Sequence, residues 1–192
     1  MEAITLYTEK LTGFDEEQFF QFCIQNQELK FERDKNKNII IMAPTGALTG
    51  NYNFKILRVL GNWNELNKLG YCFDSSTGFT LPNKAMRSPD AAWIAKERWE
   101  KVPLADKEKF AHICPDFIIE LKSKTDSLKT LQNKMQEWLE NGCRLGWLID
   151  FENKTIYIYK PSKELQIVEN FEYAISGEDI LQGFELNLKE IL

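Results

Sequence analysis

The chain has 192 residues, 43% of them hydrophobic and 28% charged, with a formal net charge of −5. This composition excludes intrinsic disorder and fibrous repeats, and the length suffices for one domain with a full core, expected to span 1–192. The acidic balance argues against a non-specific nucleic-acid coat protein, and no apolar run approaches the roughly 18 residues of a membrane span.

In chain order, a helix is expected over 12–27, opened by Asp15, Glu16 and Glu17 where the helix dipole favours acids. Its buried side would hold Phe14, Phe19, Phe20, Phe22 and Cys23. Two strands follow, 29–33 and 39–42, joined by a polar turn at 34–38. Ala43-Pro44-Thr45-Gly46 breaks the pattern, and a long helix over 51–69 places Phe54, Leu57, Val59, Leu60, Trp63 and Leu66 mostly on one face. Gly70 marks its end.

Short strands are expected at 71–73, 78–81 and 90–94. The charged stretch 95–111 reads as two helical pieces broken at Val102-Pro103. The run 117–121 is apolar without alternation, the pattern of a strand buried on both faces. A helix over 127–141 carries Leu128, Leu131, Met135, Trp138 and Leu139 as its core stripe and is capped by Gly142. Strands at 145–149 and 155–159 form a hairpin through 151–154, followed by a strand at 165–168. The architecture is α/β, a mixed central sheet flanked by helices.

No basic-then-apolar secretion signal opens the sequence, and Cys23, Cys72, Cys114 and Cys143 show no Cys-x-x-Cys spacing. A cytoplasmic protein with free thiols is the expectation. The single histidine, His112, excludes two-histidine metal sites and a His-Glu-x-x-His helix. No phosphate-cradling glycine loop occurs.

The chemistry concentrates in Pro115-Asp116-Phe117-Ile118-Ile119-Glu120-Leu121-Lys122, preceded by Ser88-Pro89-Asp90. A buried strand has no structural use for Glu120 and Lys122 on one face, because their desolvation is costly. Two carboxylates that hold a divalent metal, with a lysine beside them, are the minimum kit for phosphodiester hydrolysis. Asp116 and Glu120 lie about 13 Å apart along a strand at 3.3 Å per residue, too far to share a magnesium ion whose ligands sit about 2.0–2.1 Å away. The partner acid must come from a neighbouring strand, and Asp90 is the candidate. Asp116 is then a strand-entry residue.

In this reading Asp90, Glu120 and the backbone carbonyl of Leu121 hold the metal, and Lys122 orients the attacking water or stabilises charge at phosphorus. The bland alternative is a surface salt bridge on an edge strand. Gln132 falls within the apolar stripe of the 127–141 helix and needs a partner there, either in the site or on the backbone. Lys134, at the edge of that stripe, is placed to contact a phosphate or an acid of the site. Lys124 and Lys129 read equally well as a solvated helix face.

The 115–122 run, continued through Lys134-Met135, Trp138 and Asn141-Gly142-Cys143-Arg144-Leu145-Gly146-Trp147-Leu148-Ile149-Asp150, resembles the Uma-type restriction endonucleases of the PD-(D/E)XK nuclease superfamily. The resemblance extends upstream through Phe31-Glu32, Met42–Gly46, Thr77-Gly78-Phe79 and Arg87–Ile94. It implies a restriction-endonuclease-like fold and Mg²⁺- or Mn²⁺-dependent cleavage of DNA, most simply double-stranded DNA cut by a homodimer. By position Asp90, Glu120 and Lys122 match the acid, second acid and lysine, and Glu32 matches an N-terminal acid that joins the site. The competing expectation is a catalytically inactive nucleic-acid- or protein-binding module on the same fold; a metal-dependent nuclease acting on RNA or on structured DNA is a third.

Overall fold

A computed structural model describes residues 3–8 and 14–192. Helix α1 (Glu16–Gln25) starts at Asp15, whose carboxylate accepts the Gln18 backbone N–H while the Gln18 side chain accepts the Asp15 N–H. This reciprocal capping sets the start, and residues 12 and 13 of the expected helix lie outside the described residues. Strands β1 (Ile4–Leu6), β2 (Lys30–Arg33) and β3 (Ile39–Met42) precede helix α2 (Ala47–Asn67). Next come β4 (Gly70–Asp74), β5 (Phe79–Thr80), β6 (Met86–Arg87) and β7 (Ala91–Ala95). The helical pieces α3 (Lys96–Trp99) and α4 (Leu104–Lys107) flank Pro103 as expected.

Strand β8 (Phe117–Lys122), helix α5 (Leu128–Glu140) and strand β9 (Leu145–Asp150) form a parallel β-α-β unit, followed by β10 (Thr155–Tyr159) and β11 (Gln166–Glu169). Strands β12 (Ile175–Ser176) and β13 (Glu185–Leu186) and helix α6 (Leu188–Ile191) complete the order. The main sheet runs β11-β10-β9-β8-β7-β4, with β8 and β9 its parallel pair. A second sheet, β1-β3-β2-β6-β5, is antiparallel throughout. The architecture is the mixed α/β one read from the sequence.

One face of the main sheet, with Phe117, Ile119, Leu121 and Trp147, packs on Ile56, Leu60 and Trp63 of α2 and on the C-terminal Phe171, Phe184 and Leu188. The other face, with Ile118 and Leu148, packs on Met135 and Trp138 of α5. Alternation along β8 therefore sends Ile118 and Glu120 toward α5.

Three expectations need correction. Helix α2 starts four residues early, and Phe54 and Leu66 are 62% and 86% exposed. Only the narrow stripe of Ile56, Leu60 and Trp63 is buried, because the helix touches the sheet along one line. Gly70 is no cap; Lys68, with φ 54°, ends the helix, while Gly70 opens β4, where a Cβ would stand 2.3 Å from the Ile94 carbonyl oxygen. Strand β6 was missed, since two residues carry no local pattern and its pairing with β2 and β5 is long-range.

Candidate active site

A cleft of about 1790 Å³ runs between the second sheet, the start of α2 and the segment from β8 into α5. Asp90, Glu120, Leu121, Lys122, Glu32 and Lys134 all line it. The β7–β8 register pairs Ala91 with Ile119, and one residue further it sets Asp90 across from Glu120. Beyond the last paired residues, the Leu121 N–H donates to Asp90 Oδ2 at 2.7 Å. The carboxylate thus ends the ladder in place of a backbone carbonyl and is held against the Glu120–Leu121 peptide.

Glu120 is 4% exposed. Its Oε1 accepts the Trp138 indole N–H at 3.0 Å and faces Lys134 Nζ at 2.9 Å. Burial raises its pKa most, Lys134 opposes, and the charges of Asp90 and Glu32 push it up again, to about 7. Burial also raises the Asp90 pKa, against the Leu121 N–H bond that favours its ionised form. Each carboxylate engages the protein through one oxygen, and its other oxygen has no hydrogen-bond partner among the described residues.

Glu32 is also buried, but it is fully engaged. Its Oε1 accepts the Ser88 N–H at 3.1 Å and Lys134 Nζ at 2.8 Å, and its Oε2 takes Arg87 Nη1 at 3.0 Å. Burial alone would raise its pKa, yet Lys134 and Arg87 overcome that and hold it down at about 2. Arg87 extends the chain of charges to Glu137 at 2.7 Å. Burial alone would lower the Lys134 pKa, but attraction to Glu120 and Glu32 outweighs it and raises it, which favours the ammonium.

Lys122 sits at the same end of the sheet but does not face the acid pair. Its Nζ lies 3.5 Å from Asp150 Oδ2 and 3.9 Å from Glu152 Oε2, and it donates to the Ser123 carbonyl at 3.4 Å. Asp150, its partner in the β8–β9 register, is buried and also accepts the N–H groups of Glu152 and Asn153.

Gln132 is half-buried, does not line the cleft, and its side chain has no hydrogen bond to any described residue, so it does not join the site. Asp116 is fully buried, accepts the Ala95 N–H at 2.9 Å and pairs with Arg98 at 2.8 Å, a strand-entry role away from the cleft. His112 is exposed and its ring nitrogens lie 2.7 Å from Asp106 and Glu16, while burial pushes the Cys114 thiol up to about 12. They form no dyad. Trp138 was read as core alone; its bond to Glu120 has no counterpart in sequence, because an indole on an apolar stripe looks the same either way.

The donor set suits magnesium or manganese. Both are hard cations that take carboxylate and carbonyl oxygens, and magnesium keeps several waters while using only one or two carboxylates. That matches two half-free carboxylates at the cleft; among the described residues no group of three or more His, Cys, Asp or Glu is placed to hold a metal ion. The charges agree: Glu32, Asp90, Glu120 and Glu137 against Arg87 and Lys134 leave a formal −2 in this cluster, the complement of one divalent ion.

Residues 16–189 match the family model Uma2, described as "Putative restriction endonuclease". The chain belongs to the Uma2 family. This membership carries the sequence resemblance from motifs to nearly the whole chain. Among solved structures the chain is similar to a putative nuclease belonging to DUF820 from Anabaena variabilis ATCC 29413, at 20% identity and a TM-score of 0.70, covering 84% of this chain and 88% of that one. At that identity the likeness speaks for the fold, which this Uma2 chain shares with it. No curated protein matches the chain.

Proposed function

We propose that this Uma2 protein is a Mg²⁺- or Mn²⁺-dependent endonuclease that hydrolyses phosphodiester bonds in double-stranded DNA. The observation that carries the reading is the pair Asp90 and Glu120, brought together across β7 and β8, each with one oxygen free at the cleft. Asp90, Glu120 and the Leu121 carbonyl would hold the ion. The chemistry such an ion supplies is neutralisation of the scissile phosphate and activation of water for in-line attack. Trp138 and Lys134 fix the Glu120 rotamer so that its second oxygen stays toward the cleft. Lys122, held at the same end of the sheet by Asp150 and Glu152, would turn from them toward the acid pair to orient the attacking water or take up charge growing on the phosphate oxygens.

Cutting both strands needs two such sites, so we expect a homodimer on DNA. Free cysteines fit a cytoplasmic enzyme, and among the described residues no helix is long and apolar enough to cross a membrane. The test is cleavage of supercoiled plasmid with Mg²⁺ or Mn²⁺ by wild type, Glu120→Gln and Lys122→Ala. Loss in both variants supports the assignment; no metal-dependent cleavage, or equal cleavage by all three, overturns it. The turn of Lys122 toward Asp150 favours one second reading, a non-catalytic binding module, which would bind DNA equally well with Glu120→Gln.

A further inference from the structure

Many phosphodiester hydrolases place two metal ions about 3.5–4 Å apart, held by bridging carboxylates. Here a second cation is already built into the protein. The Lys134 ammonium lies 2.8 Å from Glu32 Oε1 and 2.9 Å from Glu120 Oε1, and it donates to the Ser88 carbonyl at 3.3 Å. Its three N–H bonds are thus matched by three oxygens, two of them carboxylate, one shared with the acid that faces the cleft. Among the described residues no other side chain bridges Glu32 and Glu120, since Arg87 reaches only the far oxygen of Glu32.

We infer that Lys134 occupies the place of a second metal ion, so that the site takes a single divalent cation, at Asp90 and Glu120. The inference rests on the proposed metal site and deepens it. Glu32 then serves as the anchor of the internal cation rather than as a metal ligand: both its oxygens are spent on Ser88, Lys134 and Arg87. Helix α5 delivers the ammonium from a position adjoining Met135, which is fully buried against the sheet, so the charge is fixed in space as a bound ion would be. The cluster's formal −2 is met by one divalent ion; a second would leave it +2.

The consequence is specific. Removing the ammonium leaves Glu32 and Glu120 facing one another with a space between them, the arrangement that recruits a metal. Calorimetric titration of the intact chain with Mn²⁺, without DNA, reads the stoichiometry directly. Wild type is expected to bind one Mn²⁺ and Lys134→Ala two, while Glu32→Gln/Lys134→Ala and the charge-keeping Lys134→Arg return to one. Two ions in wild type, or one in Lys134→Ala with unchanged affinity, overturns the inference. Should Lys134→Ala not fold, the wild-type stoichiometry together with that of Glu32→Gln, expected at one, still decides it. No Mn²⁺ bound by wild type would instead bring down the metal site itself, an outcome distinct from failure of the lysine's role.

Discussion

At the scale of single residues, Glu120 holds its proton up to about 7, well above the carboxylate range near 4.3 of an unfolded chain. Between these values the unfolded state binds fewer protons than the folded one, so stability falls as pH rises from about 4.3 to 7. In the metal-free protein the melting temperature is expected to drop across that window, and Mn²⁺ to restore it increasingly as pH rises and the carboxylate ionises. Glu120→Gln should flatten the first effect and abolish the second; calorimetric scans at stepped pH check both. Asp116 separates structure from chemistry. Arg144 is exposed and can turn to water, so Asp116→Ala loses mainly the acceptor of the Ala95 N–H and the partner of the half-buried Arg98, at least about 1–3 kcal/mol. Mn²⁺ binding should survive in Asp116→Ala and vanish in Asp90→Ala; the reverse would exchange the roles of the two acids.

At the scale of elements, the site depends on how closely α5 lies on the sheet. A Cβ at Gly146 of β9 would come 2.6 Å from the tip of Met135 and 3.5 Å from Ile118. Gly146→Ala meets only a flexible methyl group and should cost little. Gly146→Val overpacks the seam, with an expected loss of about 1–3 kcal/mol and weaker Mn²⁺ binding, because Lys134 and Trp138 move with the helix. Melting and titration of the two variants side by side measure this. The same elements show what was legible in sequence. Helix α5 and strands β8 to β10 carry their signal locally, in a 3.6-residue stripe and in an unbroken apolar run, and their bounds came out within a residue or two. Asp90 was a candidate by elimination, since Asp116 sits too far along its own strand, and by its position in the family resemblance. Glu32 and Lys134, 102 positions apart, were recognised as accessory candidates, but their bond depends on packing between two sheets and a helix and leaves no local trace. Gln132 differs: its place within the apolar stripe of the helical wheel suggested burial, but only Met135 and Trp138 of α5 are buried and Gln132 stays half-exposed.

At the scale of the whole molecule, the cleft is an unusual host for a polyanion. Among the described residues nine carboxylates and six cations line it, and Arg87, Lys122 and Lys134 are held by acids. Lys30, Lys35 and Lys124 remain with no ion pair among the described residues. DNA binding is therefore expected to be undetectable with a chelator present and to appear with Ca²⁺, read by fluorescence anisotropy. With three lysines to release counterions, the logarithmic salt slope should be no steeper than roughly −3, and Lys30→Ala/Lys35→Ala/Lys124→Ala should bring it near zero. A much steeper slope would mean that another surface carries the DNA.

The bond from the Leu121 N–H to Asp90 gives the protein its own indicator. One oxygen of Asp90, a residue lining the cleft, grips that amide, so any change in charge on the carboxylate passes directly into the N–H it holds. The nitrogen-15 resonance of Leu121 should therefore track site occupancy, shifting with a diamagnetic ion such as Mg²⁺ and with acidification. Followed during a titration, a single backbone signal would report filling of the site without DNA and without turnover.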